Sequence, residues 1–263
     1  MKRARGLGGN VATTLGIALE LFGLATAAQA DGPALRRSGT EFMSPALQTL
    51  QRDDAQNPAQ LWVKDGEALW ARTEPGGPAC ASCHADGSQR GMAARHPAWD
   101  DRLGRPVTLA DRIDQCRQRH QGLPPQGPDG AELLSLAAYL AQASRGQPMA
   151  PASDARLLPW RARGERLWQQ RMGQLNLACR HCHDQHAGAR LGGATIPQAH
   201  PTGYPSYRLE WQTLGSLPRR LRGCLVGVRA EPFASGADEW LALELFLAQR
   251  AAGMLLEGPA LRP

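Results

Sequence analysis

The sequence lacks the features that mark polytopic membrane proteins, nucleic-acid-binding proteins and all-β domains. It has one long apolar run, residues 11–27, whereas a chain that crosses a membrane repeatedly needs several such runs. Aromatic residues make up only 5% of the chain and its 30 basic residues are dispersed, so no basic and aromatic platform for nucleic acid is expected. Few stretches alternate apolar and polar residues, which argues against a fold built from strands.

The single apolar run has the setting of an export signal. It follows a basic N-terminus and leads to a small-residue site that ends at Ala30. This order is typical of a secretory signal peptide, so residues 1–30 are predicted to be cleaved and the mature chain to be exported without stable membrane insertion. A retained membrane anchor is the alternative, but the run is short and contains Glu20.

The rest of the chain contains the same plan twice. Each half has a Gly-Glu-x-Leu-Trp motif, a Cys-x-x-Cys-His motif, a His-Pro pair, a lone cysteine and an apolar segment with helical spacing, in this order. A segment rich in glycine and proline, residues 143–159, separates the halves. The repeat predicts an internal duplication with two loop-rich, mainly α-helical domains, residues 31–150 and 151–263. Asp129 and Ser235 are the predicted N-caps of the two terminal helices.

The Cys-x-x-Cys-His motif is the attachment signature of c-type haem. Two thiols one helical turn apart add across the two vinyl groups, and the adjacent histidine presents an imidazole nitrogen to the iron. A pair of disulfides or a zinc ribbon would leave the histidines and the repeat unexplained. The predicted fold class is therefore mainly α, with two tandem class I-like cytochrome c domains. The residues predicted to hold the two haem c groups are Cys80 and Cys83 with His84 as axial ligand, and Cys179 and Cys182 with His183.

The sixth coordination position of each iron has several candidates. Methionine is the usual ligand in small electron-carrying cytochromes. Here Met92 follows the first motif too closely, while Met149 and Met254 lie beyond the last helix of each half. His96 and His200 correspond between the halves and could serve a loop or a haem propionate instead.

The lone cysteines of the two halves, Cys116 and Cys224, are the remaining corresponding pair. They could join in a disulfide, as an even cysteine count in an exported protein allows. They could be buried and inert, which is the common fate of a free cysteine. Or each could bind the iron of its own domain as thiolate, because a soft anionic ligand suits haem iron. We favour iron ligation by both cysteines, since equivalent positions in a repeat usually have equivalent surroundings.

Only the second lone cysteine lies among arginines. Arg219, Arg220 and Arg222 precede Cys224 and are interpreted as a solvated face or as contacts for haem propionates. Arg229 follows Cys224 in a segment with small and apolar neighbours, so we expect it in an ordered loop beside the iron. A fixed guanidinium near a thiolate lowers the thiol pKa and can bind a sulfur oxyanion through two hydrogen bonds.

These residues resemble the SoxA family, the catalytic cytochrome subunits of the SoxAX complex of thiosulfate oxidation. The resemblance rests on Cys-x-x-x-x-Arg-Ala-Glu-Pro, residues 224–232, behind a Cys-x-x-Cys-His domain, and it covers essentially the whole mature chain. Some members lack the first haem, and the first motif with Cys116 indicates the dihaem type. The resemblance implies a periplasmic L-cysteine S-thiosulfotransferase in which Cys224 is both a haem ligand and the active-site sulfur, often as a persulfide. It also implies that Arg229 lies in the active site.

The same resemblance implies the partners of the enzyme. Thiosulfate would be joined to a cysteine of the carrier protein SoxYZ. Two electrons would leave through haem to a monohaem cytochrome c of the SoxX type, which forms a heterodimer with the catalytic subunit, and then to a downstream cytochrome c. Cys116 lacks the Arg-Ala-Glu-Pro context and would only tune or bury the first haem.

Two other functions fit the same motifs. A dihaem cytochrome c that acts only in electron transfer would have methionine or histidine as the sixth ligands and no bond-making role. A haem enzyme that acts on peroxide needs an open sixth position, against which the paired cysteines argue. The nature of the sixth ligands therefore separates the three hypotheses.

Overall fold

A computed structural model describes residues 35–84 and 86–263. The predicted signal peptide, residues 1–30, lies outside the described residues. Within the described ranges no helix combines the length and the hydropathy that crossing a bilayer requires.

Helices form most of the regular structure in both halves. The first half contains α1 (Pro45–Arg52), α2 (Gln60–Ala71), α3 (Cys80–Cys83), α4 (Leu109–Gln121) and α5 (Ala131–Ala143). The second half contains α6 (Leu158–Gln169), α7 (Cys179–His183), α8 (Leu217–Gly227) and α9 (Asp238–Arg250). Short 3-10 helices occupy Gly39–Phe42, Ala93–Arg95 and Ala155–Leu157. The order from α2 to α5 is therefore the same as the order from α6 to α9.

The strands of the described residues are short. The pairs are β1 (Ala98–Asp100) with β2 (Arg105–Val107), and β3 (Arg190–Leu191) with β4 (Ala194–Thr195), both antiparallel. The third sheet has β5 (Ser206–Arg208) between antiparallel β6 (Thr213–Gly215) and parallel β7 (Ala260–Arg262). Its register places Ser206 opposite Gly215 on one side and Ala260 on the other. The last strand of the chain thus closes a small sheet in the second half.

The two largest helix pairs each cross at a glycine. Helix α2 packs against α5, and α6 packs against α9. A Cβ added to Gly66 would overlap the backbone oxygen of Ser135, and a Cβ added to Gly164 would overlap that of Ala242. Both glycines open a Gly-Glu-x-Leu-Trp motif. Only glycine lets the two backbones approach so closely. This packing explains why both copies of the motif begin with glycine.

The two halves share part of their apolar interior. Val63 and Leu134 of the first half form one buried cluster with Tyr207, Leu214 and Leu261 of the second half. The second-half members come from the three-stranded sheet, so this sheet covers the α2–α5 pair. Because apolar burial is the main stabilising term in folding, the halves stabilise each other.

The predicted linker, residues 143–159, joins the halves and is anchored to the core by a few buried residues. Met149 is buried and its N–H donates a 2.8 Å hydrogen bond to the carbonyl oxygen of Met254. Leu157 is fully buried in a cluster with Leu241. The glycine and proline content of this segment therefore marks irregular backbone that runs over the surface and is held at a few buried side chains.

The N-caps predicted at Asp129 and Ser235 are wrong. The N-cap of α5 is Gly130 and that of α9 is Ala237, and neither helix has a side-chain cap. Asp129 instead accepts a 3.0 Å hydrogen bond from the backbone N–H of Ser216, the N-cap of α8. A carboxylate that the sequence suggested as a local cap thus ties the first half to the second.

A cavity of about 130 Å³ lies between the halves. Most of its lining is apolar, and Glu244 of α9 contributes a carboxyl group to a wall that also includes His96 and Tyr204. Burial, and to a smaller extent the charge of Asp111, raise the pKa of Glu244 from its usual 4.5 to about 8. The carboxyl group is therefore neutral at pH 7.

We expect alanine at either crossing glycine to destabilise the fold. Gly66→Ala and Gly164→Ala force the helices apart, and overpacking of this kind costs about 1–3 kcal/mol. Thermal unfolding of the haem-loaded protein measures the loss. Gly127→Ala is the control, because a Cβ at this loop position has no neighbour within 4 Å. Equal unfolding midpoints for Gly164→Ala and Gly127→Ala would contradict the crossing geometry.

The buried carboxyl group generates a prediction for pH dependence. Because the pKa of Glu244 is higher in the folded protein, the unfolded chain loses its proton first, and stability falls as pH rises from about 4.5 to about 8. Glu244→Gln removes this loss. The stability of the variant minus that of the unaltered protein should therefore increase as pH rises through this interval and then stay constant. Urea unfolding at a series of pH values measures the difference. A difference that does not change with pH would show that Glu244 titrates normally.

Candidate active site

Each Cys-x-x-Cys-His motif begins on a short helix. Cys80 and Cys83 lie at the ends of α3, and Cys179 and Cys182 lie within α7. Residues three apart on a helix face the same side, so the thiols of each pair point in a common direction. All six cysteines of the chain are free thiols, so the disulfide considered for the two lone cysteines is not formed. Each thiol pair is thus free to attach a haem.

A tryptophan packs against the histidine of each motif. The ring centroids of Trp70 and His84 are 5.2 Å apart, and those of Trp168 and His183 are 5.7 Å apart. Both tryptophans are buried, and each ends a Gly-Glu-x-Leu-Trp motif. The glycine of the motif allows the two helices to cross closely, and the tryptophan one turn later packs against the histidine. The motif therefore supports the site, which the sequence did not reveal.

A backbone carbonyl group fixes the orientation of His183. Nδ1 of the ring donates a 2.6 Å hydrogen bond to the carbonyl oxygen of Pro197. This tautomer leaves the lone pair of Nε2 for a metal ion. Burial lowers the pKa of His183, so the ring is neutral, which is the form that binds iron. No sequence signal marked Pro197 as part of the site.

Cys116 and Cys224 occupy the same place on corresponding helices. Side-chain N-caps, Thr108 and Ser216, begin α4 and α8, and each cysteine is the eighth residue of its helix. Both thiols are half-buried. The structure therefore gives the two lone cysteines equivalent positions, as the repeat indicates.

Each lone thiol lies near the haem motif of its own half. The pKa of Cys80 is raised, chiefly by burial and then by the neighbouring Cys116 thiol. The pKa of Cys179 is raised to about 11, again by burial first and by Cys224 second. Charge interactions of this kind decay with distance, so the thiols are close to each other in each half. A free thiol pair, an adjacent histidine and a nearby cysteine are residues that fit a haem c with two axial ligands.

The other candidate sixth ligands are placed differently. Met149 and Met254 lie together in one apolar cluster, so they do not occupy equivalent places at two separate haem sites. Nδ1 of His96 donates a 2.9 Å hydrogen bond to the carbonyl oxygen of Met92. His200 is buried with no hydrogen-bond partner for Nδ1 among the described residues, and burial lowers its pKa to about 4.

The helices that carry the lone cysteines end differently. Helix α4 continues to Gln121 and ends at Gly122, whose φ of 66° is left-handed. Helix α8 ends earlier, at Gly227, and the left-handed residue that follows is Arg229, with a φ of 58°. Arg229, which has no counterpart in the first half, thus owes its position to the earlier end of α8.

Arg229 occupies a position at which glycine is expected. Its N–H donates to the carbonyl oxygen of Val226, and the N–H of Ala230 donates to that of Leu225, both at 2.9 Å. These are the two hydrogen bonds of the Schellman helix end, whose left-handed residue is usually glycine. A side chain in this conformation costs roughly 1–2 kcal/mol. Retention of an exposed arginine at a strained position is typical of a functional residue.

Two of the arginines that precede Cys224 have contacts of their own. Arg219 lies over the ring of Trp211, 4.3 Å from its centroid. Arg222 is exposed and donates a 3.3 Å hydrogen bond to the carbonyl oxygen of Phe233. Both side chains thus contact other residues of the second half, and their role as a solvated face or as contacts for haem propionates stays a prediction.

Tyr204 is a residue near Cys224 that sequence reasoning missed. Burial raises its pKa, and the charges of Arg220 and Cys224 act on it in opposite directions. The three side chains therefore lie close together. Tyr204 comes from the loop before β5, which contains the His-Pro pair of the second half, but no sequence signal marked Tyr204 itself.

Comparison with known proteins connects these features. A family model for the cytochrome c domain of SoxA/TsdA matches residues 65–149 and 163–256. The chain belongs to this family. Each matched segment contains one Cys-x-x-Cys-His motif and one lone cysteine. The predicted family and the mainly helical fold with tandem cytochrome c domains are confirmed, and membership of the SoxA/TsdA family implies covalently bound haem c.

SoxA proteins are similar to the chain over most of their length. The L-cysteine S-thiosulfotransferase subunit SoxA of Rhodovulum sulfidophilum is 34% identical over 229 residues, which cover 86% of this chain and 80% of the relative. The subunit of the same name from Allochromatium vinosum is 36% identical over 210 residues, covering 78% and 74%. The crystal structure of SoxXA from P. pantotrophus matches with a TM-score of 0.82 at 30% identity and covers 87% of each chain.

We expect Arg229→Gly to stabilise the protein. Glycine removes the cost of a left-handed side chain, so the unfolding free energy should rise by roughly 1 kcal/mol. Denaturant unfolding of the haem-loaded protein measures it. Gly122→Ala is the opposite change at the corresponding helix end and should lower stability, because its positive φ disfavours a side chain. Steric overlap does not contribute, since a Cβ there meets no atom closer than 3.9 Å. A less stable Arg229→Gly protein would show that contacts of the arginine side chain outweigh the strain.

Proposed function

We propose that this chain is the catalytic dihaem subunit of an L-cysteine S-thiosulfotransferase, which couples thiosulfate oxidatively to a cysteine of a SoxYZ-type carrier protein. The observation that carries the proposal is the end of α8, where the Cys224 thiol lies near a haem motif and left-handed Arg229 follows within the same helix end. The corresponding helix of the first half has Cys116 and then Gly122. The names of the SoxA relatives support the same activity.

Two haem c groups complete the proposed site. Haem c, when bound, accepts electrons and passes them on one at a time. The residues proposed to hold the groups are Cys80, Cys83, His84 and Cys116 in the first half, and Cys179, Cys182, His183 and Cys224 in the second. Support comes from the free thiol pairs, the tryptophan-packed histidines and the nearby lone cysteines.

The proposed reaction forms one sulfur–sulfur bond and releases two electrons. First, the sulfur of Cys224 bonds to the outer sulfur of thiosulfate, and two electrons leave. Then a deprotonated carrier cysteine attacks that same sulfur, the bond to Cys224 breaks, and Cys224 departs as thiolate. The carrier keeps the thiosulfate group, and the proton of its thiol passes to solvent. The electrons go to a monohaem SoxX-type cytochrome c and from it to a downstream cytochrome c.

Arg229 is proposed to bind the substrate. Its guanidinium can form two parallel charge-assisted hydrogen bonds with the sulfonate oxygens of thiosulfate. Cys224, in the helix that ends at this segment, is the proposed nucleophile. The exposure of Arg229 supports the proposal, because an anion can reach the side chain from solvent.

A heterodimer with a SoxX-type cytochrome c and a periplasmic location are part of the proposal. The similarity to the SoxXA structure of P. pantotrophus supports the heterodimer. The signal-peptide pattern in residues 1–30 supports export. We also propose that the halves arose by duplication, which the corresponding glycines, tryptophans and N-capped cysteine helices support.

Cys224→Ser should abolish thiosulfate-dependent modification of the carrier cysteine, because serine cannot form the sulfur–sulfur bond. Both haem groups should stay attached, since their thioether cysteines are unchanged. Mass spectrometry of the carrier and of the intact variant measures both results. Full carrier modification by Cys224→Ser would rule out the mechanism.

Cys116→Ser is the matched comparison for that variant. It removes the equivalent thiol from the half without Arg229, so it should alter the spectrum of the first haem while carrier modification remains detectable. Electron paramagnetic resonance of the oxidised protein tests the alternative of pure electron transfer. Methionine or histidine as the sixth ligand of both irons would favour that alternative.

A further inference from the structure

The geometry points to the turn Met172–Leu177 as the element that positions Arg229, with Gly173 as its positioning residue. This inference rests on the proposed function, because it explains how the guanidinium is aimed at the site. The turn lies between α6 and the second haem motif, and the proposed mechanism does not use it. It is closed by two backbone hydrogen bonds between Met172 and Leu177, of 2.9 and 3.2 Å.

The turn binds the backbone on both sides of the strained residue. The N–H of Gln174 donates a 3.2 Å hydrogen bond to the carbonyl oxygen of Arg229, and the N–H of Leu175 donates a 3.3 Å hydrogen bond to that of Val228. The N–H of Arg229 is already bound in the Schellman helix end. The carbonyl groups of Val228 and Arg229 and the N–H of Arg229 are therefore all hydrogen-bonded. The backbone of Arg229 is therefore fixed, and so is the direction in which its side chain leaves.

Close approach of the turn depends on Gly173. Its φ is 68°, and a Cβ there would overlap the carbonyl oxygen of Val228 and lie 2.7 Å from the nitrogen of Ala230. Both neighbours are backbone atoms, which cannot rotate away as a side chain does. Any other residue at position 173 must separate the turn from the segment that contains Arg229.

The first half contains the same contact without the arginine. Gly77 lies in the turn before the first haem motif, and a Cβ there would overlap the carbonyl oxygen of His120 at the end of α4. In the first half, over residues 35–84 and 86–142, no backbone hydrogen bond from this turn to the helix end accompanies the contact. The helix end there is Gly122, which needs no support in a left-handed conformation and has no side chain to aim. The two added hydrogen bonds thus occur where an arginine has to be held.

Gly173→Ala tests the inference, with Gly77→Ala as the matched control. Both variants are prepared as haem-loaded complexes with the partner cytochrome and assayed with thiosulfate and the carrier protein. Gly173→Ala should lower kcat/KM for thiosulfate by about tenfold or more, since small misplacement of a binding group has effects of this size. Gly77→Ala should lower the unfolding temperature while kcat/KM changes by less than about twofold. Equal losses of kcat/KM in the two variants would overturn the inference.

A double-mutant cycle shows whether Gly173 acts through Arg229. If it does, Gly173→Ala has no further effect on kcat/KM in a protein that already carries Arg229→Ala. An equal loss in both backgrounds would mean that the turn acts independently of the arginine, and the inference would fail. Full activity of Arg229→Ala alone would instead overturn the role of Arg229 in the proposed function, so the two failures are distinguishable.

A measurement on the unaltered haem-loaded protein covers the case in which Gly173→Ala does not fold. The amide protons of Gln174 and Leu175 should exchange with solvent at least about a hundredfold more slowly than in an open chain, because both are hydrogen-bonded to the Arg229 segment. Hydrogen–deuterium exchange followed by mass spectrometry gives the rates. Exchange at the rate of an exposed turn would overturn the inference.

Discussion

The close crossing of two helices at a glycine is the contact on which both proposed haem sites depend. At Gly66 and Gly164 the backbones of the paired helices meet with no side chain between them. One turn further, the last turn of each first helix carries a tryptophan whose ring packs against the proposed axial histidine. A larger residue at the crossing would shift the tryptophan and release the histidine. The helix pair is therefore both the core of each half and the support for the proposed axial histidine.

The halves use one framework for two different sites. Cys116 is followed by Arg117, which is buried and paired with Glu132. Cys224 is followed by Leu225, which is buried in an apolar cluster. The second helix then ends sooner and exposes Arg229 in a left-handed conformation. An equivalent position can therefore provide an iron ligand in both halves, while bond-making chemistry depends on what surrounds the ligand.

Covalent attachment of haem c was predictable, because it requires thiols and a histidine at a fixed spacing, and the match to a cytochrome c family agrees with it. The helical class and the correspondence of Cys116 with Cys224 were predictable from the order of the repeated motifs. The N-cap at Asp129 was not, because its carboxylate has a partner in the other half. The anchoring of residues 143–159 by buried Met149 and Leu157 was missed for the same reason, since glycine and proline report irregular backbone and not which side chains are buried.

The sequence by itself determined which residues form the two haem-attachment motifs, which cysteines correspond and which arginine belongs to the second half alone, because these depend on residue type and spacing. The tertiary structure decided how the residues are held. His183 takes its orientation from Pro197, and Tyr204 reaches Cys224 from a separate loop. Arg229 adopts a conformation that its own sequence disfavours, and contacts from the turn before the second haem motif stabilise it. Local propensity cannot predict such a residue, because only distant parts of the chain supply the compensating hydrogen bonds.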